Sequence, residues 1–155
     1  GPRAGRQDRP PPMLPSSAGG RLEVETGRAG GDVMIGYVTL GTNDIQRAAT
    51  FYDRLLATIG AKRFMENDTF IAWSAAPGAP ALSVIQPFDG QPATVGNGVM
   101  VALAMDSKEK VDALHRKALE LGGQDEGAPG PRGPGFYAGY FRDPDGNKLN
   151  AFFMG

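Results

Sequence analysis

The sequence predicts an α+β domain made of two tandem βαβββ modules, and three observations carry that prediction. A pattern recurs at a constant shift: Val38-Thr39-Leu40 returns as Val101-Ala102-Leu103, and the same 63-residue shift takes Phe51 to Leu114, Leu56 to Leu119 and Gly60 to Gly123. Unrelated helices would drift, so a constant shift across strand, stripe and stop indicates internal duplication. Each copy also reads as strand, helix and three strands, switching from period 2 to period 3.6 and back. Finally, two aromatic-rich runs, 136–142 and 148–154, flank Asp143-Pro144-Asp145-Gly146-Asn147, the chemistry of a hairpin turn.

Residues 1–33 stand apart. They mix Pro10, Pro11, Pro12 and Pro15 with glycines and scattered arginines and contain no aromatic residue. Such a segment buries too little apolar surface to offset its ordering entropy, so a disordered or accessory tail is expected. The opening Gly1-Pro2 fits a protease remnant, which makes Met34 the expected natural start. The domain proper is expected over 34–155, with modules at about 34–88 and 98–155.

Within the first module, 34–40 reads as a strand with Val38 and Leu40 on one face and Tyr37 and Thr39 on the other. Asn43 is expected to cap the next helix with Gln46 as its capping-box partner, and the repeat assigns the same roles to Asp106 and Glu109. Ile45, Ala48, Ala49, Tyr52, Leu55, Leu56 and Ile59 form the helical stripe, which Gly60 ends. Strands follow at 61–66, 70–74 and 81–86, and a turn-rich connector runs from Pro87 to Asn97. In the second module a strand at 99–105 and a helix recur, and a weak strand signal lies near Gln124. Gly127 to Gly135 reads as a long breaker-rich loop before the closing hairpin. In that hairpin Leu149, Ala151 and Phe153 share one face, and Asn150 and Phe152 the other. Pairing around the turn places Tyr140 beside Asn150.

Composition removes several functions. The 16 basic and 17 acidic side chains nearly cancel, so no field gathers nucleic acid or anionic lipid. The absence of cysteine excludes disulfides, thiolate metal sites and thiol nucleophiles. The single histidine, His115, excludes a multi-histidine centre within one chain. No apolar run approaches the roughly 20 residues of a membrane span. A cytoplasmic domain without nucleic-acid or membrane partners is expected.

The strand Ile35-Gly36-Tyr37-Val38-Thr39-Leu40, the helix carrying Phe51-Tyr52, the Asp143–Asn147 cluster and the paired modules together resemble the vicinal oxygen chelate superfamily. That superfamily includes glyoxalases, bleomycin-resistance proteins and extradiol dioxygenases. The resemblance covers about 34–155. It implies curled mixed sheets around a shared cleft, helices outside, and usually a homodimer. In metal-using relatives one side chain from the first strand and one from the last strand of each module hold a divalent ion. Those positions fall here on Tyr37, Ser83, Met100 and Asn150. A neutral phenol, hydroxyl, thioether and amide supply neither the charge nor the basicity such an ion needs.

The expectation is therefore a small-molecule cleft without a metal or other cofactor, lined by Tyr37, Ser83, Met100, Tyr140, Asn150 and Phe152, with no catalytic residue assigned. The bland alternative for Tyr37, Met100 and Asn150 is that they fill space vacated by a lost metal. His115 reads as a half-buried structural residue, Asp143 and Asp145 as turn formers, and Arg142 and Lys148 as solvated. The facing of Trp73 stays open. The leading reading is a dimeric glyoxalase/bleomycin-resistance-like protein that binds a small, partly apolar molecule. Its rivals are a lyase, isomerase or dioxygenase of the glyoxalase type with an atypical metal site, and a dimeric module without ligand.

Overall fold

A computed structural model describes residues 33–155, so the expectation for the tail lies, Val33 apart, outside the described residues. The chain runs β1 (Tyr37–Gly41), α1 (Ile45–Ala57), β2 (Lys62–Asn67), β3 (Phe70–Ser74), β4 (Ala81–Ile85), β5 (Val101–Ala104), α2 (Lys108–Glu120), β6 (Gln124–Pro131), β7 (Phe136–Arg142) and β8 (Lys148–Met154). It forms two four-stranded mixed sheets in the orders β1-β4-β3-β2 and β5-β8-β7-β6. In each, the module's first and last strands pair in parallel at one edge and the rest antiparallel. The two βαβββ modules are thus present with the same internal order, and the sheets do not close into a barrel.

The repeat survives to the residue, since α1 and α2 start and stop 63 positions apart. The caps differ from expectation. Asp44, not Asn43, accepts from the Arg47 amide, and Ser107, not Asp106, accepts from Lys110. Asn43 is engaged elsewhere: its side chain donates to the Ala93 carbonyl and accepts from the Ala93 amide at 3.1 and 2.6 Å. Both caps are one residue late, so the third helical positions are Arg47 and Lys110 and no capping box forms.

The Gly127–Gly135 loop is also corrected. Its first half, to Pro131, belongs to β6 and pairs with β7 through two register shifts. Prolines lack the ladder donor, so they suit an edge strand, and β6 is one.

One apolar core joins both modules. From α1 it takes Phe51, Tyr52, Leu55 and Leu56, from α2 Val111, Leu114 and Ala118, and from the sheets Leu40, Trp73, Phe141 and Leu149. Trp73 faces the helix, and its Nε1 donates to Asp53 at 2.9 Å. The hairpin turn also ties the modules. Tyr52 donates to Asp143 at 2.6 Å, Thr42 to Asp145 at 2.6 Å, and the Asn147 amide to the Gly41 carbonyl at 2.9 Å. Arg47 pairs with Asp145 at 2.9 Å. Asp143 and Asp145 therefore do more than shape a bend, although Gly146, at φ +91°, still takes the left-handed turn position.

Candidate functional site

Each sheet turns one face to the helices and leaves the other free of them. Strand alternation assigns Leu40, Val84 and Trp73 to the helix side of the first sheet, and Tyr37, Thr39, Ala72 and Ser83 to the opposite side. In the second sheet Leu149, Ala151 and Phe141 face the helix, while Ala102, Tyr140, Asn150 and Phe152 face away.

The register makes the modules comparable. Thr39 stands opposite Ser83, and Ala102, 63 residues on from Thr39, stands opposite Asn150. Ser83 and Asn150 thus occupy equivalent places in their sheets. Their surroundings differ. The Ser83 hydroxyl is fully engaged, 2.8 Å from the Thr39 hydroxyl and donating to the Val38 carbonyl at 2.8 Å. Asn150 is only 2 % exposed, and its Oδ1 is buried without any hydrogen-bond partner among the described residues. Buried polar atoms are nearly always paired, so this atom stands out.

Around Asn150 the second sheet carries a graded surface. Tyr140 pairs with it directly, and Phe152, two residues on, stacks on Phe136 with centroids 5.7 Å apart. In the other direction Lys148 lies with its Nζ 5.5 Å from the Tyr140 ring, and Arg132 reaches the same ring at 5.5 Å. Neither Lys148 nor Arg142 is simply solvated: both are half-buried, and Arg142 donates to Glu126 at 2.8 Å and to the Gly146 carbonyl at 2.9 Å. The Arg142 guanidinium holds the Glu126 carboxyl below its ordinary pKa.

Tyr37 is 37 % exposed on the edge strand β1, and Met100, 39 % exposed, lies just before β5 rather than in it. Tyr37 and Ser83 therefore belong to one sheet, Tyr140, Asn150 and Phe152 to the other, and Met100 to the segment leading into β5. No hydrogen bond among the described residues joins the two groups. A cavity of about 370 Å³ lies elsewhere, lined by Arg47, Phe51, Arg54, Glu120 and Pro144. It belongs to the helix side and contains none of the expected cleft residues.

His115, at the place of Tyr52 in the repeat, is buried with its Nε2 3.1 Å from both the Asp125 carboxylate and the Tyr140 carbonyl. It braces β6 and β7 from the helix side. Among the described residues no group of three or more His, Cys, Asp or Glu side chains is placed to hold a metal ion. The donors at Tyr37, Ser83, Met100 and Asn150 do not fit a divalent ion, which needs imidazole or anionic oxygen. Arg132, Lys148 and Phe136 were not foreseen. Their signal was present in part, because Lys148 shares the period-2 face of Asn150, whereas Arg132 lay in a segment read as loop.

The description "Glyoxalase/Bleomycin resistance protein/Dioxygenase superfamily" belongs to the family model that matches residues 34–151. No curated protein matches the chain at a significant level. Among solved structures, a glyoxalase/bleomycin resistance protein from Albidiferax ferrireducens is 38% identical, covering 77% of this chain and 98% of its own, with a TM-score of 0.72. A hypothetical protein from S. aureus is 25% identical over 80% of this chain and 96% of its own, with a TM-score of 0.61. A fosfomycin resistance protein from Mesorhizobium loti shares the fold alone, at 15% identity over 78% of this chain and 92% of its own and a TM-score of 0.58. The family model spans both modules and the closing hairpin, and on that extent the chain belongs to the glyoxalase/bleomycin resistance protein/dioxygenase superfamily.

Proposed function

We propose that the protein binds a small, partly apolar molecule in a metal-free cleft over the helix-distal faces of its sheets, and that it works as a homodimer. The observation that carries this reading is the Asn150 amide, buried beside Tyr140 and Phe152 with its oxygen unpaired. A buried acceptor without a donor is costly, and a ligand N–H or O–H satisfies it. Tyr37, Ser83 and Met100 complete the cleft in this reading, with Met100 as the adaptable apolar contact. The homodimer rests on family resemblance and on closed twofold pairs being the commonest soluble assembly.

Native mass spectrometry of the purified full chain tests both parts. The expected result is a dimer carrying a small organic molecule and no stoichiometric zinc, nickel, iron or manganese. The molecule is lost in Asn150→Leu, and added metal leaves the melting temperature unchanged, because a ligand stabilises only by binding the folded state. Equimolar metal that disappears with Asn150→Ala overturns the reading in favour of a glyoxalase-type enzyme. A monomer at high concentration removes the dimer.

A further inference from the structure

The inner face of the second sheet orders its chemistry along one line. On β8 the helix-distal side chains are Lys148, Asn150 and Phe152, and β7 sets Arg142, Tyr140 and Phe136 beside them. Alternate residues on a strand are about 7 Å apart, so cation, amide and aromatic ring follow one another over about 13 Å. At the cationic end Arg142 is neutralised by Glu126. Lys148 lies near enough to Glu126 to help lower its carboxyl, but among the described residues neither Lys148 nor Arg132 forms a direct ion pair. Among the described residues the Arg132 guanidinium donates to the carbonyls of Ala128 and Pro131 alone, and both cations rest against the ring of Tyr140.

A cation held by a ring face is held more weakly than one donating to an oxyanion. Two such cations flank one tyrosine next to a buried, unpartnered amide. Ala102, paired with Asn150 on the neighbouring strand, and Ala104 are small and exposed. We propose that this face is a binding site for an amphipathic organic oxyanion. Its carboxylate or phosphonate lies at the Tyr140 ring, within reach of Lys148 from the β8 side and of Arg132 from the β6 side, an N–H or O–H in its middle donates to Asn150 Oδ1, and its apolar end stacks on Phe152 and Phe136. The proposal rests on the ligand-binding reading above and narrows it to a class.

Hippurate (N-benzoylglycine) has a carboxylate, an amide N–H and a phenyl ring in that order, and hippuramide is its neutral counterpart. Calorimetric titration of the full chain with each compound is the test. Hippurate binds about tenfold or more tightly than hippuramide, and its affinity falls as salt is raised. Lys148→Met and Arg132→Met each weaken hippurate about tenfold and leave hippuramide unchanged, whereas Lys148→Arg keeps the charge and retains binding. Equal affinity for the two compounds, binding indifferent to both charge removals, or no binding of either overturns the proposal. If hippuramide still binds and Tyr140→Ala abolishes it, the ligand-binding reading survives that failure. If Tyr140→Ala also leaves the co-purifying molecule in place, both fall.

Discussion

An amide oxygen buried without a donor costs about 1–3 kcal/mol, and Asn150 Oδ1 is in that position. Replacing the amide by an apolar group of similar shape removes the cost without opening a cavity. Asn150→Leu is therefore expected to raise the stability of the ligand-free protein by about 1 kcal/mol while abolishing ligand capture. Urea denaturation of the two proteins stripped of ligand reads the first effect. A loss of stability shows that the amide has a partner in solution. This residue was legible because the closing strand alternates cleanly, so Leu149 and Ala151 in the core fix Asn150 on the other side. What the alternation does not reveal is satisfaction. Ser83 holds the equivalent place and has its hydroxyl fully bonded, through Thr39 on a strand far away in sequence.

At the scale of elements, the helices were legible because stripe and shift agree, and their caps were not because neighbouring polar residues compete for one geometric role. Asn43 and Asp44 are both good N-caps, and only the Ala93 backbone, 50 residues on, decides between them. The helix stops show the same limit. The repeat equates Gly60 with Gly123, yet the two glycines serve different needs. Gly60 adopts φ +76° in open space. In the second module Gly122 takes the left-handed position, at φ +96°, and Gly123 is required for closeness: a Cβ there lies 2.8 Å from the backbone oxygens of both Ala118 and Arg142. Backbone gives way less readily than a side-chain tip. Gly123→Ala is thus expected to cost about 1–3 kcal/mol by separating α2 from β7. Gly36→Ala, where a Cβ meets nothing within 4 Å, should cost nothing or stabilise by about 0.5 kcal/mol through the unfolded chain. Thermal midpoints of the pair check the contrast, and equal midpoints refute it. The extension of strand β6 to Pro131 was missed because two glycines and two prolines mask its pairing, which runs through bulges that no period-2 count detects.

At the scale of the whole molecule, the two modules are joined through a carboxylate that dislikes its surroundings. Asp143 is buried, and burial drives its pKa above the ordinary 3.8 despite the bonds it accepts from Tyr52 and Asn147. The same contact pushes the Tyr52 hydroxyl well up, through burial first and the Asp143 charge second. Because the folded protein takes up the Asp143 proton at higher pH than the unfolded chain, the associated stability is fully present below about pH 4 and is lost as pH rises through the raised value. Other carboxyls run the opposite way: Arg63 lowers Asp53, and Arg142 lowers Glu126. They are common to parent and variant, so a comparison cancels them. Asp143→Asn keeps the shape, removes the titration and sets an amide N–H₂ or an amide oxygen where a carboxylate accepted from Tyr52, Asn147 and the turn backbone. It is expected to destabilise by about 1–3 kcal/mol near neutrality. The gap between parent and variant should be larger at pH 4 than at pH 7. Both proteins should unfold in one transition, since the core is continuous across the modules. Urea titrations at intervals from pH 4 to 7 measure the gap directly. A gap that widens toward neutral pH means that Asp143 is stabilised as an anion, and that the hairpin turn holds the modules by charge rather than by a hydrogen-bond cluster that burial tilts toward the protonated carboxyl.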